Sequence, residues 1–401
     1  MFPSIKVITE DFTTIVRSGQ ALNAFYAGYF ERGPVNEITQ ITSIYDLKIT
    51  FGKPTKDNYK EWFQIYNYLS YGNACIYIAR CDAETSTYAK SPDFDISAKY
   101  PGEWGNNLLV KGSGENISVY LNNKLVEKIN FDEESYYINY KNLPKNFETR
   151  LRDGFHDLPS SVDIADSYAL ALDDSWDFDF ILANPNYQYP AISLAQKKLG
   201  IAFLYEPVYG ESNCICYQGS KKQRSIFDGK TYDIPILGDA LGLRNYLANS
   251  ESLRESHCKR SYALTNIESA KIPDLQALYN LNINGIAKNE NYYYFNSETM
   301  CDDSSFTNNL ILNRLKKETQ DAARYFVFEM ADDFTRNDLQ KKMQLKCQEY
   351  KDSLYIVDFA VICNESNQNA IEPNSIYVDI YVKMSGIIEE VLIKLKAVSS
   401  I

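Results

Sequence analysis

Residues 178–206 read FDFILANPNYQYPAISLAQKKLGIAFLYE. Short apolar runs stand at both ends, and a stretch with the apolar spacing of a helix lies between them. Strand, helix and strand in this order are typical of a parallel sheet with helical crossovers. Patterns of the same kind at 161–172 and 237–249 extend the alternation. Residues 151–265 are therefore predicted to form an α/β middle domain.

The remaining chain changes pattern several times, which predicts an α+β or α/β multidomain protein. Short strands and an Asn122-Asn123 hairpin turn predict a β-rich insertion. Ser43 is predicted to cap one helix, apolar residues from Tyr59 to Leu69 indicate a second, and 304–323 a third. Thr335 and Asp338 are predicted to open a fourth helix. The segments besides the middle domain are an N-terminal arm (1–20), a first α/β segment (21–96), the insertion (97–150), a C-terminal domain (266–386) and a C-terminal arm strand (387–401).

Composition narrows the class of protein. The chain has 401 residues, 45% of them hydrophobic and 23% charged, which is typical of a soluble globular protein. Its net charge of −12 argues against nucleic-acid binding. No run of about 18 apolar residues predicts membrane insertion, and no secretory signal is expected at the start. The eight cysteines are expected to be reduced thiols.

The usual motifs of catalysis and cofactor binding are missing from the sequence. KGSGE at 111–115 only partly matches a nucleophile elbow, and no phosphate-binding Gly-Lys loop occurs. His156 and His257 are interpreted as surface or loop residues, and Cys214 with Cys216 lacks partners for a zinc site. We therefore predict no catalytic residue, no cofactor and no metal. A cytosolic enzyme built on the α/β layer at 160–265 is the alternative from another class.

Both ends of the chain have the alternation of a half-buried strand. In PSIKVIT (3–9), Ile5 and Val7 oppose Lys6. In EEVLIKLKAVSSI (389–401), one face carries Val391, Ile393 and Leu395. An apolar strand of this kind needs a sheet to receive it.

Several stretches resemble the tail sheath proteins of contractile-tailed bacteriophages. The matching stretches occur in the family's order and lie toward both ends of the chain, whereas residues 111–265 show much less resemblance. Met384-Ser385 departs from the family pattern, in which Pro and a small residue follow the Lys. The matching stretches are GPVNEITQITSIYDLKITFGKPTKDNYKEWFQIYNYLSYGN (33–73), AKYPGEWGNNLLV (98–110), YNLNINGI (279–286), FVFEMADDFTRNDL (326–339), DFAVICNESNQ (358–368) and NSIYVDIYVKM (374–384).

The resemblance implies a structural subunit of a virion tail, assembled in the host cytoplasm. Sheath subunits stack as six-membered rings around the tail tube, and the C-terminal domain faces the tube. Terminal arms add strands to the sheets of neighbouring subunits, and contraction drives the tube through the host envelope. The implied partners are further copies of the chain, the tube protein, and the baseplate and tail-terminator proteins. A phage-tail-like bacteriocin or related injection device is the alternative within the same machinery.

This reading assigns roles to particular residues. The arm anchors are Ile5, Val7, Val391, Ile393 and Leu395. Gly19 and Gly386 are hinge candidates between the arms and the body of the subunit. Basic residues on the two C-terminal helices could contact an acidic tube, although solvated helix faces explain them equally well; these residues are Arg314, Lys316, Lys317, Lys341, Lys342 and Lys346.

Overall fold

The computed structural model describes residues 22–72, 74–259, 261–368, 375–384 and 386. The described chain falls into two compact units, one within Ser18–Thr307 and one within Asn308–Ile401. Both predicted arm strands and Gly19 lie outside the described residues. The six-part division predicted from the sequence stays a prediction.

The first unit combines a parallel sheet, its helices and several small antiparallel sheets. Its elements in chain order are β1 (Ala24–Tyr29), β2 (Ile38–Ile41), α1 (Ile44–Phe51), α2 (Tyr59–Ser70), β3 (Ile76–Cys81), β4 (Ile96–Ala98), β5 (Leu108–Ser113), β6 (Asn116–Leu121), β7 (Lys124–Asn130), β8 (Ile138–Tyr140), β9 (Asn146–Arg150), α3 (Ser161–Ala169), β10 (Phe180–Leu182), α4 (Tyr189–Lys198), β11 (Ile201–Leu204), β12 (Cys214–Tyr217), β13 (Ser220–Arg224), β14 (Thr231–Pro235), α5 (Leu237–Ser250), β15 (Ser269–Ala270), α6 (Leu275–Tyr279), β16 (Ile283–Asn284), β17 (Ile286–Asn289) and β18 (Tyr292–Phe295).

The stretch 178–206 folds as predicted, into β10, α4 and β11. These two strands pair in parallel within a sheet of order β16-β12-β11-β10-β1-β3-β2. Only β2, at one edge of this sheet, runs antiparallel to its neighbour. Every residue of β1 is buried, as is typical of a strand covered by helices on both faces.

Alternate residues of the central strands face different helices. Phe25 and Ala27 belong to a core shared with Ile164 of α3 and Leu194 of α4. The hydroxyl of Tyr26, on the opposite face, donates a hydrogen bond to Glu61 of α2. Helix α5 packs against α2 on that second face. The predicted α/β layer is thus covered on both sides.

The insertion has a core of its own. Strands β7-β6-β5-β9 form one sheet and β4-β8 a second. Between β6 and β7, Asn122 and Asn123 have φ values of 51° and 62°, the backbone of a type I′ hairpin turn. This confirms the turn predicted from the sequence. The core side chains include Trp104, Val110, Ile117, Val119, Ile138 and Leu151.

The second unit contains two long helices and a hairpin. They are α7 (Phe306–Arg324), which begins at the boundary, α8 (Asp333–Asp352), and β19 (Asp358–Ile362) with β20 (Asp379–Lys383). The predicted buried face of α8 is confirmed by Leu339, Met343, Cys347 and Tyr350. Its predicted cap is wrong. Asp332 is the N-cap, accepting a hydrogen bond from the Thr335 backbone N–H, so the helix begins two residues earlier than Thr335.

No helix among the described residues is both long and apolar enough to cross a bilayer.

The caps of two other helices, α1 and α3, follow local sequence chemistry. Ser43 caps α1 as predicted, accepting from the backbone N–H of Asp46. Ser160 and Asp163 form a reciprocal capping box on α3.

Candidate subunit interface

Strands β19 and β20 form a two-stranded antiparallel sheet. Within the part of the chain that the structure describes, no third strand pairs with either outer edge. An open edge presents main-chain N–H and C=O groups to which an extended segment can add. A sheet of two strands is also marginal by itself, so further strands would stabilise it. The hairpin is therefore a candidate strand acceptor.

A polar cluster fixes the base of the loop between these strands. The amide of Asn367 donates to the carbonyls of Ile362 and Tyr377 and to the carboxylate of Asp379. Gln368 exchanges two hydrogen bonds with the backbone of Tyr377. The cluster thus connects the end of β19 to the residues before β20. Asn367 and Gln368, which make these contacts, are the last two residues of the family-like stretch DFAVICNESNQ.

An exposed apolar segment, residues 325–334, covers the connection from α7 to α8 and the first residues of α8. Tyr325, Phe328, Met330 and Phe334 are each at least 78% exposed. Phe328 also has a φ of 76°, a left-handed backbone that bulky residues rarely adopt. Four large apolar side chains exposed within ten residues are typical of a surface that another protein covers. Neither alternation nor helical spacing predicts this feature, because most of the segment is irregular.

The predicted basic residues differ in their surroundings. Lys341 and Lys342 are exposed on α8. Lys346 is half-buried and lies 3.5 Å from Glu318 and 3.3 Å from Glu349. On α7, Lys316 and Lys317 are half-buried, whereas Arg314 is only 6% exposed. The described structure therefore leaves Lys341 and Lys342 as the most accessible cations of the set. Their contact with a tube stays a prediction.

The hinge candidate Gly386 is exposed, and a Cβ built on it would meet no atom of the described residues within 4 Å. Its role as a hinge stays a prediction. The N-cap of α8 has a shifted pKa, because the hydrogen bond from the Thr335 backbone N–H lowers the pKa of Asp332.

Buried polar groups in the first unit are the features least foreseen from sequence. His257 is fully buried, which corrects its interpretation as a surface residue, although it does lie outside helices and strands. Lys221 and Asp239 form a fully buried ion pair at 2.8 Å. Burial raises the pKa of Asp239, and the Lys221 ammonium group opposes that rise. Such groups depend on contacts between distant segments, which spacing along the chain does not reveal.

Comparisons with known proteins show which class of protein the chain resembles. No family model matches the chain. The tail sheath protein of Vibrio phage KVP40 is 28% identical over 193 residues, covering 45% of this chain and 29% of that protein. The tail sheath protein of Enterobacteria phage T4 is 30% identical over 122 residues, 29% of this chain and 18% of that protein. The matches thus span less than a third of either phage protein.

Solved structures extend the likeness to nearly the whole chain. A sheath tail protein from Listeria innocua superposes with a TM-score of 0.66 at 13% identity, covering 92% of this chain and 96% of that one. The helical sheath of the anti-feeding prophage in its contracted state gives 0.60 at 11% identity, covering 99% of both chains. The chain shares the sheath-protein fold. The open-edged hairpin and the exposed apolar segment both lie in the second unit.

Proposed function

We propose that this chain is the structural subunit of a contractile tail sheath. Copies of it stack as six-membered rings around a tail tube, and the sheath shortens on a signal from the baseplate to drive the tube through a host envelope during genome delivery. The observation that carries the proposal is the likeness of fold, over nearly the full length, to sheath proteins that include a contracted helical sheath. No catalytic step is part of this function.

Strand exchange supplies the links between subunits. The arm at 387–401 adds to the open edge of a neighbour's β19–β20 sheet, and the arm around Ile5 and Val7 adds in the same manner. Three apolar anchors contribute about 5–9 kcal/mol gross at about 1.5–3 kcal/mol each. Ordering a free arm offsets part of that gain. Because each subunit makes several such links, the lattice is far more stable than one link.

Negative-stain electron microscopy of the purified full chain tests the class. We expect striated tubes of stacked rings, formed alone or on added tail tubes. A preparation that stays monomeric under both conditions, while remaining folded by circular dichroism, would argue against a sheath subunit.

Deletion of residues 387–401 tests the arm. We expect a folded, soluble monomer that fails to polymerise, because the acceptor sheet receives no donor strand. Two further variants distinguish the two faces of the arm. Val391→Asp with Ile393→Asp and Leu395→Asp should abolish tubes, whereas Lys394→Ala with Lys396→Ala should leave them intact. Full-length tubes from the deletion variant would contradict strand donation by this arm.

A sheath of an extracellular injection device is the second candidate. It is favoured by structural likeness to the anti-feeding prophage sheath and to a contracted sheath of an extracellular contractile injection system, whose TM-score is 0.57. The neighbouring genes discriminate between the two. Capsid and terminase genes would indicate a phage tail, whereas a sheath, tube and baseplate cluster without them would indicate the injection device.

A further inference from the structure

Two neighbouring residues of an irregular segment meet a carboxylate from elsewhere in the first unit. His257 and Cys258 lie between α5 and β15, and Glu298 follows β18. The imidazole, the thiol and the carboxylate each offer a donor atom, and these atoms lie within 4.8 Å of one another. Three side chains from two separate segments therefore converge on one point.

The imidazole has a nitrogen without a hydrogen-bond partner. Nδ1 of His257 is fully buried and makes no hydrogen bond to the described residues. Its nearest carboxylate oxygen, Oε2 of Glu298, is 3.4 Å away. That separation exceeds the usual N–H···O range. The two groups form an ion pair at this distance, and two ligand atoms bound about 2.1 Å from a tetrahedral zinc ion are likewise about 3.4 Å apart, so the same geometry matches a shared metal ion.

Outer contacts hold the donor groups in place. Nε2 of His257 lies 2.5 Å from the Tyr217 hydroxyl, which leaves Nδ1 directed at the cluster. The Glu298 carboxylate accepts hydrogen bonds from Ser256 at 2.8 Å and from Thr307 at 3.0 Å. Partners of this kind orient metal ligands in proteins. The rings of Phe295 and Phe306 pack edge-on against the imidazole.

We propose that His257, Cys258 and Glu298 bind a zinc-type divalent metal ion through Nδ1, Sγ and a carboxylate oxygen. The donor set selects the metal: a thiolate disfavours magnesium and calcium, and imidazole, thiolate and carboxylate together suit zinc. Water supplies the fourth ligand. Binding transfers the thiol proton to solvent as the Zn–S bond forms.

Charge and access are compatible with such a site. Thiolate and carboxylate together neutralise the two charges of the ion, and the buried guanidinium of Arg244 acts electrostatically on all three protein groups. That guanidinium favours the two anions and disfavours the cation, which moderates the affinity. Cys258 is partly exposed as a residue and the Glu298 side chain is 11% exposed, so the cluster lies just below the surface.

The site would attach an irregular segment to the body of the first unit. Residues 251–268 contain no helix or strand in their described part, and structureless segments of this length are uncommon within compact domains. Metal binding at these three residues would act on folding of the first unit and does not depend on the chain forming a sheath.

Metal content of the full chain gives the first test. After chelation and dialysis against zinc, we expect one zinc ion per chain by plasma mass spectrometry. With cobalt, a thiolate-to-metal charge-transfer band should appear in the near-ultraviolet. Cys258→Ser should lose the band and weaken zinc binding more than about tenfold, since changes even to outer contacts cost about 10–100-fold. Cys75→Ser, at a half-buried cysteine outside the cluster, should retain both.

Alkylation of the unmodified chain avoids any folding defect of the variants. Zinc should slow labelling of Cys258 but not of Cys75, as measured on peptides by mass spectrometry. Equal labelling with and without zinc, or a chain that takes up no stoichiometric zinc, would overturn the proposal and leave the cluster as a metal-free polar network.

Discussion

Glu61 places a carboxyl group between α2 and the central sheet. Its Oε2 accepts hydrogen bonds from the Tyr26 hydroxyl at 2.8 Å and from the Tyr29 backbone N–H at 2.6 Å. Burial raises the pKa of Glu61 from 4.5 to about 7, against the smaller effect of these two hydrogen bonds. Between pH 4.5 and about 7, the folded chain therefore holds a proton that the unfolded chain has released.

The sign of the resulting pH dependence follows from proton linkage. Because the native state binds more protons between pH 4.5 and about 7, the free energy of unfolding falls as pH rises through that window and then levels off. The loss attributable to Glu61 is up to about 3 kcal/mol. Glu61→Gln keeps an acceptor for both donors and should flatten this part of the profile, measured by chemical denaturation at pH 5 and pH 8.

An exposed carboxyl group provides the control for this experiment. Glu84→Gln removes one carboxyl group at an exposed position and serves as the matched control. A Glu61→Gln protein with the same pH slope as the parent would show that another group is responsible.

At the scale of elements, two glycines let α5 approach α2 closely. A Cβ on Gly238 would lie 2.2 Å from the Gln64 carbonyl oxygen, and one on Gly242 would lie 2.8 Å from the Tyr68 Cα. Both neighbours are backbone atoms, which cannot move without shifting a helix. The four-residue spacing of the glycines places them on one face of α5.

Gly238→Ala should therefore destabilise the first unit by about 2 kcal/mol or more. Overpacking outweighs the roughly 1 kcal/mol that alanine adds to helix propensity. Lys60→Ala, at an exposed position of α2, should change stability by less than about 0.5 kcal/mol. Denaturant unfolding measures both, and a Gly238→Ala protein as stable as the parent would contradict the close packing.

Sequence patterns predicted these elements unevenly. The strand–helix–strand unit at 178–206 and the buried face of α8 followed from periodicity, because each pattern covers many residues. The start of α8 did not, since Asp332, Asp333, Thr335 and Asp338 all have capping chemistry and only the backbone shows which one accepts. Burial of His257 depends on Tyr217 and Phe295, which are remote in sequence. The open edges of the hairpin could not be predicted from sequence, because they depend on β19 and β20 pairing only with each other among the described residues.

At the scale of the whole molecule, the acidic chain carries an exposed basic pair on α8. Lys341→Glu with Lys342→Glu should weaken assembly on purified tail tubes at least severalfold if this face meets an acidic tube surface, and added salt should reduce the difference. Sheath length and yield on tubes, counted by electron microscopy, measure the effect. Undiminished assembly would remove this pair from the tube contact.

The insertion supplies a matched control for that experiment. Lys124 and Lys128 are likewise exposed, on β7. Lys124→Glu with Lys128→Glu makes the same change in net charge at a different surface. Equal loss of assembly in both double variants would point to net charge rather than to a specific contact.

The chain leaves the parallel sheet for the insertion and returns from it along paired backbone. Thr87 bridges to Phe155, and Lys90 bridges to Arg152. Because the two connections run side by side and the Asn122-Asn123 turn is exposed, residues added at that turn should leave the register of the sheet unaltered. The consequence is practical. The Asn122-Asn123 turn is a suitable position for displaying a foreign peptide or a fluorescent tag, whereas Pro101 and Trp104 of the insertion contact Arg80 and Arg32 and are best left unchanged.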